Sequence, residues 1–280
     1  MKKILKSLAV MLFIMSINIL SVSASENVVP IKTSEFSVNE YDSMVEMKLS
    51  EKQVKSTDAV GSYEQLYLER AKNSTKDLIE VYGYTEKQAQ ILKNYLGTPI
   101  EDTPELRLAS ATCTGFVYGT NCSKTQLGIK AEWSWSSSPI LTGPGVTDGV
   151  AIRWKGTDTG GNVLNLSGSS ASLKIKYVGT GGVTYRTVTP TIVDPYGAAK
   201  GSVLMDNGYG SARSGTLSIT LKRTGSKSIK EAAIIFTYAH CSIGLSVGFS
   251  FPASFGINVT SGTQEFIESV RVTSSGQTLS

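Results

Sequence analysis

One histidine, His240, stands among 280 residues. A multi-histidine metal site is therefore excluded, and histidine chemistry has a single candidate base. The three cysteines, Cys113, Cys122 and Cys241, do not form a zinc-binding spacing. Eight prolines against 27 glycines point to tight turns rather than a proline-rich disordered chain. Long apolar runs are also missing. The uncharged stretch Leu8 to Leu20 has 13 residues, short of the roughly 20 needed to cross a bilayer as a helix. No residue set amounts to a recognisable active site.

What is present at the start of the chain reads as an export signal. Lys2, Lys3 and Lys6 precede the apolar stretch, and Val22-Ser23-Ala24 places small residues one and three places before a cut. Cleavage is expected between Ala24 and Ser25 of a bacterial secretory signal spanning 1–24, with the mature protein secreted. No cysteine lies near that cut, which speaks against a lipid anchor, and the last residues, TSSGQTLS, carry no apolar tail.

The net charge of +4 hides an asymmetry. Residues 25–108 hold 10 Lys/Arg and 15 Asp/Glu, a balance of −5, whereas residues 109–280 hold 14 and 8, a balance of +6. Such halves attract each other or leave the basic half to meet an anionic partner.

The patterning divides the chain. Residues 25–60 are polar and mixed, and partial order is expected there, with short helices beginning at Ser37-x-x-Glu40 or Ser50-x-x-Gln53. Residues 61–97 carry three helix-start signals, at Ser62, Ser74 and Thr85, each followed by Gln or Asp at the third helical position. Apolar residues follow at helical spacing, and Gly83 and Gly97 suit left-handed stops. Residues 98–108, acidic with Pro99 and Pro104, read as a linker.

From 109 to 280 the period becomes two. Leu127, Ile129, Ala131, Trp133 and Trp135 alternate with small or charged residues, as do Val150, Ile152 and Trp154, then Leu173, Ile175 and Tyr177, then Leu217, Ile219 and Leu221, and finally Ile243 to Phe251. Turn signals such as Asp158-Thr159-Gly160-Gly161 and Asp206-Asn207-Gly208 separate them. The expected class is α+β by chain and mainly β: a small N-terminal helical segment followed by an antiparallel β-sandwich. The paired tryptophans share the face of Leu127 and Ile129 and are assigned to the core.

Several candidate sites follow. Lys130, Arg153, Lys155, Lys174 and Lys176 all point away from the dry faces. If their strands share one sheet, its outer side is a basic ligand-binding patch. Tyr196 and Tyr209, in turns, are placed for ligand contact. Cys113 and Cys122 flank a hairpin tip containing FVYGTN, and a bridge between them is the first choice, with Cys241 able to replace either partner. His240 has no identifiable partner and is read as structural. Gly244-Leu245-Ser246-Val247-Gly248 matches G-x-S-x-G in letters only, because its serine lies inside an alternating strand with no helix after it. No charge occurs from Cys241 to Gln264, so that stretch is either a core hairpin or a membrane-crossing one.

The run IEVYGYTEKQAQILKNYLG within 78–97, then Leu108-Ala109-Ser110-Ala111, AEWSWSSSP and Tyr238-Ala239-His240, resembles an uncharacterised family of secreted Firmicutes proteins. The resemblance implies the same two-part layout and no activity. The expected function is a secreted, non-enzymatic, cofactor-free protein whose basic sandwich binds an extracellular or envelope ligand. Its partner is an anionic cell-envelope polymer or a membrane surface, not nucleic acid. The alternative is a secreted proprotein whose acidic N-terminal segment masks a membrane-perturbing β-hairpin toxin or bacteriocin.

Overall fold

The structure is a computed structural model that describes residues 33–39, 68–97, 110–139, 147–195, 197–241, 248–259 and 264–280. The expected signal segment, the linker, Ser62 and Tyr196 lie outside these residues.

Two antiparallel sheets face each other across one apolar core. The first has six strands in the order β1 (Ser34–Asn39), β2 (Ser110–Thr120), β3 (Gln126–Trp135), β10 (Ser211–Arg223), β6 (Leu166–Gly179) and β7 (Gly182–Val188). The second runs β15 (Thr278–Leu279), β14 (Gln264–Thr273), β11 (Ile229–His240), β4 (Thr147–Asp158), β9 (Ala198–Leu204) and β8 (Thr191–Asp194), with β5 (Val163–Leu164) paired to β4. Alternation explains the inner faces. Leu127, Ile129, Ala131, Trp133 and Trp135 on β3 are buried, with Val150, Ile152 and Trp154 opposite them. The tryptophans are core residues, as their phase with the aliphatic positions requires.

β1 departs from the expected helix starts in the polar segment. Ser37 lies in a strand, within hydrogen-bond reach of Thr112 Oγ1 at 2.8 Å, and Phe36 packs on Trp135, Tyr238 and Phe266. The alternation Glu35-Phe36-Ser37-Val38 is a four-residue strand signal, too short to stand out in a polar context.

The helical segment is short and well capped. Ser74 Oγ accepts from the Asp77 N–H at the start of α1 (Thr75–Glu80). Thr85 and Gln88 form a reciprocal capping box on α2 (Glu86–Lys93). Gly83 and Gly97 have φ of +74° and +81°. The segment is docked on the sandwich by polar ties. Arg213 of β10 donates to the Tyr82 and Ser136 carbonyls. The Ser138 N–H donates to the Tyr82 carbonyl at 2.9 Å, and the Tyr84 hydroxyl donates to the Ser138 carbonyl at 2.9 Å.

A small flap lies on the outside of the second sheet. Its strands β12 (Phe249–Ser250) and β13 (Asn258–Val259) are two residues each. Phe249 and Ile257 pack on Ala151, Ile235 and Ala239. This covers β11 on both sides, so β11 is buried from Ile234 to His240.

Candidate functional site

The five basic positions do not form one patch. β3 and β6 belong to the first sheet and β4 to the second, so Lys130, Lys174 and Lys176 stand on one outer face while Arg153 and Lys155 stand on the opposite one. Strand assignment by phase tells which side of its own sheet a residue occupies. Which strands share a sheet depends on non-local pairing, and that corrects the single basic patch.

The first face is built in rows across the strands. One row reads Phe116, Glu132, Thr216, Lys174 and Thr187. The next reads Thr114, Ser134, Ser214, Lys176 and Tyr185, and on the other side stand Tyr118, Lys130, Ser218 and Ser172. Three lysines thus rise from a bed of short hydroxyls. Among the described residues none of the three is ion-paired. The Lys174 ammonium lies 4.6 Å from the Tyr185 ring centre. The nearby carboxylate, Glu132, is occupied by the Tyr118 hydroxyl at 2.6 Å. Burial and that carboxylate push the Tyr118 phenol well above its ordinary value, so it remains a donor.

Arg153 has a different task. Its Nη1 donates toward the carbonyls of Pro252, Ser254 and Gly256 at 2.7, 2.8 and 2.6 Å, holding the flap's turn on the sheet. Lys155 is exposed beside it. The described part of the uncharged stretch turns Phe249 and Ile257 onto the sheet and leaves Phe255 exposed, in strands far shorter than the roughly 9–11 residues of a membrane-crossing strand. Charge-assisted hydrogen bonds contribute about 1.5–3 kcal/mol each. Arg153→Ala is expected to raise the rate of limited proteolysis within 252–256 by at least about tenfold, leaving the global unfolding midpoint nearly unchanged. Equal cleavage rates in both proteins would show that the guanidinium does not hold the flap.

The Cys113–Cys122 bridge is not formed, and both thiols are free. The hairpin tip lies at 121–125, between β2 and β3. Cys113 pairs with Trp135 at the far end of β2, seven residues before Thr120, a span of about 23 Å along an extended strand. Cys113 is wholly buried, and desolvation, with the Asp148 charge adding to it, pushes its thiol well above the ordinary value.

A buried polar cluster joins Asp148, His240 and Tyr238. Tyr238 pairs with Val150, so two residues on, His240 of β11 meets Asp148 of β4 on the inner face. Both are fully buried or nearly so, at 0% and 1% exposure. The Asp148 carboxylate accepts from His240 Nδ1 at 2.9 Å, from the Cys241 N–H at 2.9 Å and from the Tyr238 hydroxyl. Trp135 Nε1 in turn donates to the Tyr238 oxygen at 3.0 Å. This pattern assigns the imidazole proton to Nδ1 and leaves Nε2 without a partner among the described residues. Burial drives the Tyr238 phenol well above its ordinary value, and the Asp148 charge adds to that. The geometry resembles an oriented base, but both groups are sealed from solvent, so the cluster acts as a tie at one end of the core. Its sequence signal was a carboxylate in phase with Val150, Ile152 and Trp154. A carboxylate on a dry face requires buried donors.

Tyr209 is 81% exposed, at the rim of a polar cleft of about 230 Å³ between the helical segment and the turn at 206–210.

No protein-family model matches the chain, and no curated protein matches it. Among solved structures, the chain is similar to a collagen-binding domain from a Staphylococcus aureus adhesin, with a TM-score of 0.29, 13% identity, and coverage of 55% of this chain and 95% of that one. It is similar to the collagen-binding subdomain of the Enterococcus faecalis surface protein ACE, at TM-score 0.24, 8% identity, 55% and 94% coverage. A structure concerning the Fap1 fimbriae of Streptococcus parasanguinis matches at TM-score 0.23, 11% identity, 59% and 80% coverage. At such scores these likenesses carry no argument about what this chain does.

Proposed function

We propose that this is an exported, non-enzymatic binding protein whose outer face on the six-stranded sheet takes an anionic polymer of the cell envelope or its surroundings. The resemblance to secreted Firmicutes proteins belongs to the same reading. The observation that supports it is the row structure of that face: Lys130 on β3 and Lys174 and Lys176 on β6 flank β10, with ammonium groups that form no ion pair among the described residues, over a floor of serine and threonine hydroxyls. A flexible polyanion needs spaced cations and tolerant hydrogen-bond donors, not a deep pocket. Ammonium groups spaced by the strand register supply the first and rotatable hydroxyls the second.

The test is titration of poly(glycerol phosphate) onto the protein. The triple variant Lys130→Glu, Lys174→Glu, Lys176→Glu is expected to lose at least about tenfold in affinity, and wild-type binding is expected to weaken as salt rises past the point where the screening length falls below about 8 Å. Lys155→Glu, on the other sheet, is expected to bind like the wild type. Equal affinity of the triple variant and the wild type would defeat the reading.

A further inference from the structure

The polar cleft at the end of the sandwich stands apart from the lysine rows. One wall is the helical turn at 68–71 with Asn73 after it, the other is the turn at 206–210 that joins β9 to β10, and Thr180 of the β6–β7 turn closes one end. We propose that this cleft is a saccharide-binding subsite, with Tyr209 as the stacking platform and Arg70, Asn73 and Asp206 as the polar contacts.

The three polar groups are already held by the protein. The Arg70 guanidinium lies 4.0 Å from the centre of the Tyr82 ring, and its Nη2 donates to Ser211 Oγ at 3.3 Å. The Asn73 side-chain amide donates to the Arg70 carbonyl at 2.9 Å, which leaves its oxygen as an acceptor. Asp206 Oδ1 accepts from the Gly208 N–H at 2.8 Å, and the Asp206 carboxylate lines the cleft. Asn207 Oδ1 accepts from the N–H groups of Tyr209 and Gly210 at 2.9 and 3.0 Å. The turn is thereby fixed with the Tyr209 ring turned outward. Ordering Arg70, Asn73 and Asp206 on binding would cost little, because they are held before the ligand arrives.

The chemistry selects the ligand class. An exposed tyrosine ring offers an apolar face with a polar tip, which suits the C–H face of a sugar ring. Planar guanidinium, amide and carboxylate groups suit pairs of adjacent hydroxyls, since each presents two atoms in a fixed plane. The cleft is lined by both signs of charge and by no aliphatic side chain, which disfavours a lipid chain or a hydrophobic peptide. It sits beside the lysine face without sharing its residues. Val178, which pairs with Ser211 at the cleft, lies two residues beyond Lys176, about 7 Å along the strand.

The experiment uses saturation-transfer NMR on the mature chain with three neutral probes: chitotriose, maltotriose and cellotriose. At least one is expected to receive saturation, and Tyr209→Ala is expected to reduce that transfer at least fivefold. Asp206→Asn keeps an acceptor for the Gly208 N–H, so the turn survives, and it is expected to weaken the signal by a smaller factor. Both variants are expected to bind poly(glycerol phosphate) like the wild type, and the triple lysine variant is expected to keep its saccharide signal. No transfer to any of the three probes, or transfer unchanged in Tyr209→Ala, would overturn the assignment while leaving the polyanion reading untouched.

Discussion

Asp148→Ala is expected to destabilise the folded chain by about 3–5 kcal/mol, since it removes the one acceptor shared by three buried donors, at about 1–3 kcal/mol for each donor left unsatisfied. Three donors converge on this carboxylate: His240 Nδ1, the Tyr238 hydroxyl and the Cys241 N–H. Alanine leaves all three facing a void, and each loses the partner for which it gave up water. For a domain of this size the midpoint of thermal unfolding should fall by roughly 10 °C. Asp148→Asn retains an acceptor oxygen and an almost identical shape, so it is expected to cost clearly less. Combining Asp148→Ala with His240→Phe is expected to recover part of the loss, because phenylalanine fills space and brings no orphaned donor. Urea unfolding of these four proteins and of His240→Phe alone measures this. Additive effects in the double variant would show that the carboxylate and imidazole do not act as a pair.

Trp154→Ala is expected to cost a similar amount, about 3–5 kcal/mol, through a different cause. Trp154 projects from the second sheet into the first. Its indole N–H donates to the Leu166 carbonyl at 2.9 Å, and its ring occupies the space left by Gly168, where a Cβ would come within 2.7 Å of it. Alanine here opens a cavity between the sheets and orphans a buried carbonyl. Trp154→Phe keeps most of the packing and is expected to lose roughly half as much. The glycine supplies a second check. Gly168→Ala in the wild type overpacks the ring and is expected to cost about 1–3 kcal/mol. In the Trp154→Ala background it is expected to cost clearly less, because the indole atoms it would strike are gone and only the end of the Ile219 side chain, at 3.1 Å, remains close. Equal costs in the two backgrounds would mean that the ring does not account for the glycine.

These two positions differ in how far the chain alone reveals them. Trp154 is legible as a core residue, since it continues Val150 and Ile152 on one phase. Asp148 continues the same phase backward, yet its meaning depends on His240, 92 residues away. β11 was hidden for another reason. Its run AAIIFTYA lacks alternation because the flap covers its outer side while the core covers its inner side, and a strand buried on both faces carries no period of two. Arg153 was legible as outward-facing and misread as ligand-binding, because the carbonyls it serves belong to a distant turn.

By itself the amino-acid sequence determined the mainly β class, the dry and wet phases of most strands, the core placement of Trp133 and Trp135, and the helix caps at Ser74 and Thr85. Those follow from interactions within a few residues, where side-chain phase and capping chemistry act locally. Only the tertiary structure decided which strands share a sheet, hence the division of the basic residues between two faces, the separation of Cys113 from Cys122, the Asp148–His240 tie, and the cleft under Tyr209. Each of these depends on the register between strands far apart in the chain, and register is set by the joint burial of whole faces, which no local pattern encodes.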